Sequence, residues 1–313
     1  MLFQKLLGGL FIMVITWEEL IEEYMLDLTA RGYAKSSIQS YSSQLKKIAK
    51  YFKQHELAPL DIKKLHVKKQ IIDWQESGIA PVTINKGVVI LKGFYKYCCE
   101  EEYITVNPCA GIKQQREHKK IIYPLTDSEI KQILQVAANH PYPLLKHRNT
   151  VILMLMLDCG LRIGEVERLD DSDILQNQLY IREAKNRKER AVALSPAMRK
   201  ALIKYLRVKK QLKLDCEALI VNYHNERMTK GNIWFMMQQI AKKVKIRDEV
   251  RFSGHTLRHT YAAMQVRNGL DIHTLSLNMG HENIGITQTY LRSLSSEDFI
   301  NKSIQTSTLM NLR

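Results

Sequence analysis

The second half of the chain carries side chains that together could bind an oxyanion and move protons. Guanidinium groups bind oxyanions, imidazoles exchange protons near neutral pH, and a phenol can act as a nucleophile. These groups occur in the order Arg162, Lys185, His255, Arg258, His281 and Tyr290. Taken singly, each has an ordinary explanation as a helix-terminal, surface or core residue. The prediction of an activity therefore depends on the whole set.

A metal site is the first chemistry to consider, because His255 and His259 are four residues apart and could share one helix face. The H-E-x-x-H pattern of metalloproteases needs a glutamate after the first histidine, and Thr256 stands there instead. The five cysteines include no C-x-x-C pair, which makes a zinc ribbon unexpected. We therefore predict no metal and no other cofactor. The cysteine usage favours a reducing compartment and a cytoplasmic location.

The elements that must position these side chains can be read from periodicity. The apolar run 151–157 predicts a buried helix leading to Arg162, and two strand-like runs, 179–181 and 191–194, flank a polar hairpin tip at 185–189. Ser195 and Pro196 begin a basic helix as N-cap and first residue. Further helices are predicted at about 229–244, 256–268, 272–279 and 284–292, with Gly269 and Gly280 as stops.

The first half predicts a small helical bundle over residues 16–112. Thr16 and Glu19 form a capping box, and helices are expected from residue 17 and over 36–52, 67–77 and 82–101. The basic stretch 113–124 lacks periodicity and reads as a linker, after which Thr126 and Glu129 form a second capping box.

The apolar residues 1–15 do not fit this bundle. They are too few to span a bilayer, and no small-residue cleavage site follows them. We interpret them as an extension that packs on the protein, or as the product of an upstream start, in preference to a signal peptide.

The charge indicates a polyanionic partner. The 313 residues contain 47 Lys and Arg against 32 Asp and Glu, a net charge of +15, and 45% of them are apolar, which excludes a mostly disordered chain and a multi-span membrane protein. Residues 1–112 contribute +2, 113–124 contribute +3 and 125–313 contribute +10. Nucleic acid is the usual partner of such a field.

The six residues in their order resemble the tyrosine recombinases, the family of phage integrases and Xer-type resolvases. The similar segments are 161–166 around Arg162, 184–194 around Lys185, 254–260 with His255 and Arg258, 279–281 with His281, and Tyr290 nine residues later. Residues 16–110 resemble the core-binding domain of the family. The sequence departs from the pattern at Ala184, Ala193 and Met279, which are packing positions, and residues 1–15 match nothing in it.

The resemblance implies a mainly α fold with a small β-hairpin in the C-terminal domain. A helical, SAM-like core-binding domain (16–112) would be joined by the linker 113–124 to a catalytic domain (125–294). A tail (295–313) would follow, in which Phe299, Ile300 and Ile304 are candidates for a contact with a neighbouring protomer.

The resemblance also implies roles. Tyr290 would be the nucleophile that forms a 3′-phosphotyrosine, His255 the general base and Lys185 the general acid, with Lys188 as the rival of Lys185. Arg162 and Arg258 would stabilise the phosphate charge, and His281 would hydrogen-bond a phosphate oxygen.

The implied partner is double-stranded DNA, bound by a homotetramer on paired sites, with accessory DNA-bending or directionality proteins possible and no membrane. The candidate DNA-binding residues are all basic: Lys46, Lys47, Lys50, Lys92, Lys96, Lys119, Lys120, Arg187 and Lys188. Two alternatives stay open: a type IB topoisomerase, and a DNA-binding protein without catalysis. Among recombinases, a Xer-like or mobile-element enzyme is expected.

Overall fold

The computed structural model describes residues 4–7, 10–13, 15–117, 122–182, 189–281, 283–291 and 304. In 4–7, 10–13 and 289–291 it describes the backbone alone. The chain divides into two compact units, Met1–Lys119 and Lys120–Arg313. The predicted mainly helical fold with a small hairpin in the C-terminal unit is confirmed. The roles assigned above to the separate ranges stay predictions.

The described residues of the apolar N-terminal segment form two paired strands. Strands β1 (Gln4–Leu7) and β2 (Leu10–Met13) pair antiparallel, with Gln4 opposite Met13 and Leu7 opposite Leu10. No helix among the described residues is long and apolar enough to cross a bilayer.

The described part of the N-terminal unit contains the α-helices α1 (Trp17–Ala30), α2 (Lys35–Gln54), α3 (Lys64–Glu76) and α4 (Pro81–Glu100). The Thr16 capping box forms as predicted, because the Thr16 hydroxyl accepts from Glu19 N while Glu19 accepts from Thr16 N. The core is aromatic: the ring of Trp17 stacks on Phe52 and on Phe94 at centroid distances of 5.7 and 6.0 Å.

The first residues after this bundle are fixed to α4. The Asn85 side chain is buried; its Nδ2 donates to Gln115 O at 3.0 Å and its Oδ1 accepts from Gln115 N at 2.8 Å. An amide that satisfies both backbone groups of one residue holds that residue as a strand neighbour would. Gln115, near the start of the predicted linker, is therefore held beside Asn85 of α4.

The C-terminal unit packs around one buried helix. Its helices are α5 (Asp127–Ala138), α6 (Pro143–Leu157), α7 (Ile163–Arg168), α8 (Pro196–Gln211), α9 (Lys230–Ala241), α10 (Gly254–Arg267), α11 (Ile272–Met279) and α12 (Ile284–Leu291). Residues 151–153 of α6 have no exposed surface, and α6 packs against α5, α8 and α10. This accounts for the unbroken apolar run in the sequence, since a helix covered on all sides needs no polar face.

The predicted hairpin is present as strands β3 (Gln178–Ile181) and β4 (Arg190–Ala193), paired antiparallel with Ile181 opposite Arg190. Ser195 caps α8 through Met198 N, and Pro196 is its first residue, as the sequence predicted.

Candidate active site

A tight turn delivers Arg162 from the end of the buried helix α6. Gly160 has φ +66°, and a Cβ built on it would lie 2.4 Å from the ring of Tyr261, so only glycine fits. Leu161 N closes the turn on Leu155 O at 3.1 Å. Arg162 follows as the N-cap residue of α7. The backbone path thus places this guanidinium beside the start of a helix.

Arg162 is held by a carboxylate three residues later. Its backbone N donates to Glu165 Oε2 and its Nη1 to Glu165 Oε1, both at 2.9 Å, while Nη1 also lies 3.5 Å from Met279 O. About a third of the Arg162 side chain stays exposed, at 31%. The guanidinium is therefore oriented but still accessible to a ligand.

Arg258 is the fifth residue of α10, in its second turn, and is 2% exposed. Its Nη1 donates to Gly160 O and its Nη2 to Met279 O. Nη2 also lies 3.0 Å from His281 Nε2. Both predicted arginines thus converge on the carbonyl of Met279, although they are 96 residues apart in sequence (258 − 162).

That carbonyl is presented by the end of α11. Gly280 is the C-cap in the left-handed region, with φ +61°, and the N–H groups of Gly280 and His281 return to Leu277 O and Ser276 O. This is the closure that a glycine allows at a helix C-terminus. The predicted stop at Gly280 directs His281 back toward the arginines.

The contacts of His281 define its tautomer. A guanidinium has no acceptor, so Nε2 accepts from Arg258 and the proton is on Nδ1, 2.8 Å from Thr287 Oγ1. Burial first, and then the charges of Arg258, Arg162 and Arg190, lower the pKa of His281 to about 4. His281 is therefore neutral at physiological pH.

His255 is three residues before Arg258 on α10 and is influenced by the charges of both arginines. It keeps exposed surface, yet desolvation by its neighbours, followed by the charges of Arg258 and Arg162, lowers its pKa. A neutral imidazole with an exposed edge can accept a proton, as a general base must. His259, one turn further along α10, is buried, and its pKa is lowered to about 4 by burial and then by His255.

Two further charged residues of the site were not singled out by the sequence reasoning. Glu165 has a side chain that is 1% exposed, and Arg190 of β4 donates to both of its carboxylate oxygens, at 3.1 and 2.8 Å. Burial alone would raise the pKa of Glu165; Arg190, the backbone of Arg162 and the charge of Arg258 outweigh it and hold the pKa at about 2. The only signal in the sequence was that Glu165 lies in the segment 161–166 and Arg190 in the segment 184–194, two of the segments that resemble the family.

Several predicted residues fall outside the described part of the chain. These are Lys119, Lys120, Lys185, Arg187 and Lys188. Tyr290 lies on α12, whose backbone is described there while its side chain is not. Of the three tail candidates, Phe299 and Ile300 are outside the described residues, and Ile304 is exposed.

The predicted DNA-binding lysines of the N-terminal unit lie on two helices. Lys46, Lys47 and Lys50 of α2 are exposed, as are Lys92 and Lys96 of α4. Lys46 and Lys50 border a groove of about 520 Å³ between α1 and α2, which is also lined by acidic side chains of α1. Lys96 pairs with Glu100 at 3.4 Å. Lys47 is outside this groove.

Comparison with known proteins places the chain in a family. The profile of the phage integrase family matches residues 124–297, and that of the phage integrase N-terminal SAM-like domain matches residues 21–102. The two matches cover the helical N-terminal unit and the second unit, which contains Arg162 and Arg258. The chain belongs to the phage integrase family, the tyrosine recombinases.

Individual relatives agree with this assignment. The tyrosine recombinase XerD of Halalkalibacterium halodurans is 27% identical over 267 residues, which are 83% of this chain and 88% of the relative. The XerH site-specific recombinase in a post-cleavage complex with a palindromic difH substrate superposes with a TM-score of 0.73 at 18% identity, covering 95% of this chain and 85% of the other. A lambda integrase tetramer bound to a Holliday junction gives a TM-score of 0.72 at 20% identity, covering 88% and 77%. The two structures show a shared fold.

Proposed function

We propose that this chain is a site-specific recombinase that cleaves and rejoins duplex DNA through a 3′-phosphotyrosine. The observation that carries the proposal is the convergence of Arg162, Arg258 and His281 around the carbonyl of Met279. Two fixed guanidiniums suit a phosphodiester, because its transition state spreads added charge over the non-bridging oxygens. Loss of either guanidinium is expected to slow cleavage by about 10²-fold, as loss of an oxyanion donor does.

Tyr290 is the proposed nucleophile. Its phenol, with an ordinary pKa of about 10, must lose a proton as its oxygen attacks phosphorus. His255 is the proposed base, because its lowered pKa keeps it unprotonated at neutral pH and it retains an exposed edge beside both arginines.

Lys185 is the proposed general acid. When the P–O5′ bond breaks, the departing oxygen needs a proton, and a lysine ammonium can supply it. Lys185 is five residues from Arg190, which contacts Glu165 of the site, and five residues span at most about 18 Å. The phosphate stays linked to Tyr290, so a 5′-hydroxyl from another strand can reverse the attack without an external energy source.

DNA binding and assembly complete the proposal. Phosphate contacts, which position the duplex without reading its sequence, would come from the predicted basic residues Lys46, Lys47, Lys50, Lys92, Lys96, Lys119, Lys120, Arg187 and Lys188. By analogy with the lambda integrase tetramer on a Holliday junction, four protomers would act on two paired sites. Accessory proteins that bend DNA or set direction would act on that assembly, and the protein would work in the cytoplasm.

The nucleophile can be tested with a nicked suicide DNA, from which the short fragment that carries the free 5′-hydroxyl diffuses away after cleavage and leaves the protein covalently attached to the 3′-phosphate. The natural chain should accumulate the adduct and Tyr290→Phe should not, because phenylalanine has no oxygen to bond phosphorus. Tyr261→Phe is the matched control: this tyrosine is buried against Gly160, and its loss should leave adduct formation in place. An adduct with Tyr290→Phe would disprove the assignment.

The same substrates separate the alternatives. Exchange of strands between two short sites indicates a recombinase, whereas relaxation of any supercoiled plasmid would indicate a type IB topoisomerase. Binding with no adduct from the natural chain would indicate a silent DNA-binding protein. Lys185→Ala and Lys188→Ala, compared side by side, identify the general acid as the variant with the greater loss of cleavage.

A further inference from the structure

We propose that Arg190 is the positioning residue of the arginine pair: it saturates Glu165, so that Arg258 stays directed at Gly160 O and Met279 O. The proposal rests on the proposed function, in which Arg162 and Arg258 bind the scissile phosphate. Arg190 itself is 8% exposed in its side chain and is assigned no contact with DNA.

The contacts around Glu165 support this role. Each carboxylate oxygen accepts two hydrogen bonds, Oε1 from Arg162 Nη1 and Arg190 Nη1, and Oε2 from Arg162 N and Arg190 Nη2. Arg258 Nη1 is 3.8 Å from Oε2, outside hydrogen-bonding range. Arg190 therefore occupies the positions that a nearby guanidinium would otherwise fill.

Removal of Arg190 would leave a buried carboxylate with one unfilled acceptor position on each oxygen. An uncompensated buried charge is costly, and neighbouring groups move to satisfy it. Arg258 is the next guanidinium, and its Nη1 would turn from Gly160 O toward Glu165. The guanidinium of Arg258 would then no longer be oriented toward the scissile phosphate.

Arg190 also supports the turn that carries the shared carbonyl. Its Nε donates to Asn278 O at 2.8 Å, and a Cβ at Gly280 would lie 3.0 Å from its Nη1. The guanidinium thus packs directly on the residues before and after Met279. One side chain of β4 fixes both the carboxylate of α7 and the end of α11.

Arg182 offers a matched control on the same hairpin. It follows β3, lies across from the β4 end that carries Arg190, and also forms ion pairs, to Asp173 at 2.6 Å and Asp170 at 3.6 Å. These partners are not contacts of Arg162 or Arg258. Arg182→Gln therefore removes an anchored hairpin arginine without changing Glu165.

The experiment compares cleavage of two suicide DNAs, one with an ordinary scissile phosphodiester and one with a methylphosphonate, which lacks the negative charge that the arginines stabilise. Arg190→Gln should slow cleavage of the phosphodiester on the order of 10-fold or more relative to the natural chain. On the methylphosphonate its deficit relative to the natural chain should shrink by a factor of about 3 or more, because misplaced guanidiniums matter less there. Arg182→Gln should stay within about 2-fold on both substrates, as a surface substitution away from the site does.

A merely structural role of Arg190 predicts the same deficit on both substrates, and that result would overturn the inference. Arg190→Lys provides the second variant if Arg190→Gln does not fold: it keeps the charge but reaches one oxygen only, so the same substrate-dependent deficit is expected at smaller size. Thermal unfolding and DNA binding establish that each variant is folded.

Arg162→Ala separates this inference from the proposed function. If the methylphosphonate relieves the defect of Arg162→Ala but not that of Arg190→Gln, the positioning role is wrong and the phosphate site stands. If it relieves neither, the assignment of Arg162 to the phosphate is wrong as well.

Discussion

At the scale of single residues, the positive charge of the candidate site comes from arginine and not from histidine. His255 and His281 have lowered pKa values because they are desolvated and lie near Arg258 and Arg162. Glu165 stays ionised because its pKa is held at about 2. At neutral pH the site therefore combines permanent cations with neutral imidazoles that can accept protons.

His259 gives a prediction on stability against pH. Its pKa is about 4 in the folded chain against an ordinary value of 6.5, so between these values the unfolded chain binds more protons. The free energy of unfolding contributed by this group is complete above pH 6.5 and falls as the pH is lowered toward 4. From pH 7 to pH 5 the loss should be about 1–2 kcal/mol.

Denaturant unfolding at pH 7 and pH 5 measures this loss. His259→Gln should reduce the difference between the two pH values, and His224→Gln, which changes an exposed histidine, should leave it as it is. An unchanged difference in His259→Gln would contradict the assignment.

The residues of the site that the sequence predicted are those that together, in their order, match the motifs of a known family. Arg162, Arg258 and His281 were predicted, and the structure brings these three together. Glu165 and Arg190 were not, because a glutamate in a helix and an arginine in a basic hairpin are ordinary surface residues until the fold pairs them. Their partnership depends on a contact between α7 and β4 that no local pattern encodes.

At the scale of elements, the turn between α6 and α7 does most to build the site. Gly160 adopts a left-handed backbone conformation, and its carbonyl oxygen accepts a hydrogen bond from Arg258. Because it has no Cβ, the ring of Tyr261 can pack directly against its backbone. Because the turn has only four residues, 158–161, a shift in it moves Arg162 by a similar amount.

Gly160→Ala tests the importance of this turn. The free energy of unfolding of the variant should fall by about 1 kcal/mol because alanine disfavours a positive φ. It should fall by about a further 1–3 kcal/mol because the new Cβ overlaps the Tyr261 ring. Gly269→Ala is the control in the same unit, since its φ of +97° is at least as demanding while no atom lies within 4 Å of its Cβ. Thermal unfolding should show a greater loss for Gly160→Ala, and equal losses would show that the ring contact does not matter.

The elements themselves were largely predictable. Capping boxes at Thr16 and Thr126 and the Ser195-Pro196 start involve contacts within four residues, so the sequence shows them directly. The hydrogen bonds between the Asn85 side chain and the Gln115 backbone were not predicted. They join a helix to a residue 30 positions later, in a stretch that has no periodicity.

At the scale of the whole molecule, charge is divided unevenly between the two units. The first 112 residues carry +2 of the +15, and some of their lysines pair with acidic side chains, as Lys53 does with Glu18 at 2.6 Å and Lys96 with Glu100 at 3.4 Å. Non-specific attraction to DNA should therefore arise chiefly from the linker and the C-terminal unit. Individual lysines of the first unit should act through particular phosphates.

Substitution of Lys47 tests whether a lysine of the first unit contacts a particular phosphate. If it contacts one phosphate, Lys47→Ala should weaken binding similarly for all DNA sequences and reduce the slope of log K against log salt by about 1. Lys53→Ala, on the same helix but paired with Glu18, should leave the slope unchanged. Fluorescence anisotropy over a salt series measures both, and equal slopes for Lys47→Ala and the natural chain would exclude a phosphate contact.

The carbonyl of Met279 has a consequence for how this sequence can change over time. It is a main-chain atom, as is the carbonyl of Gly160, and together they hold Arg258. Exchange of the side chain at 279 does not delete the acceptor, so the hydrogen bond from Arg258 does not depend on which side chain stands there. The hold on Arg258 should therefore tolerate substitution at 279, whereas substitution of Gly160 or Gly280 would disturb the main-chain path that places these carbonyls.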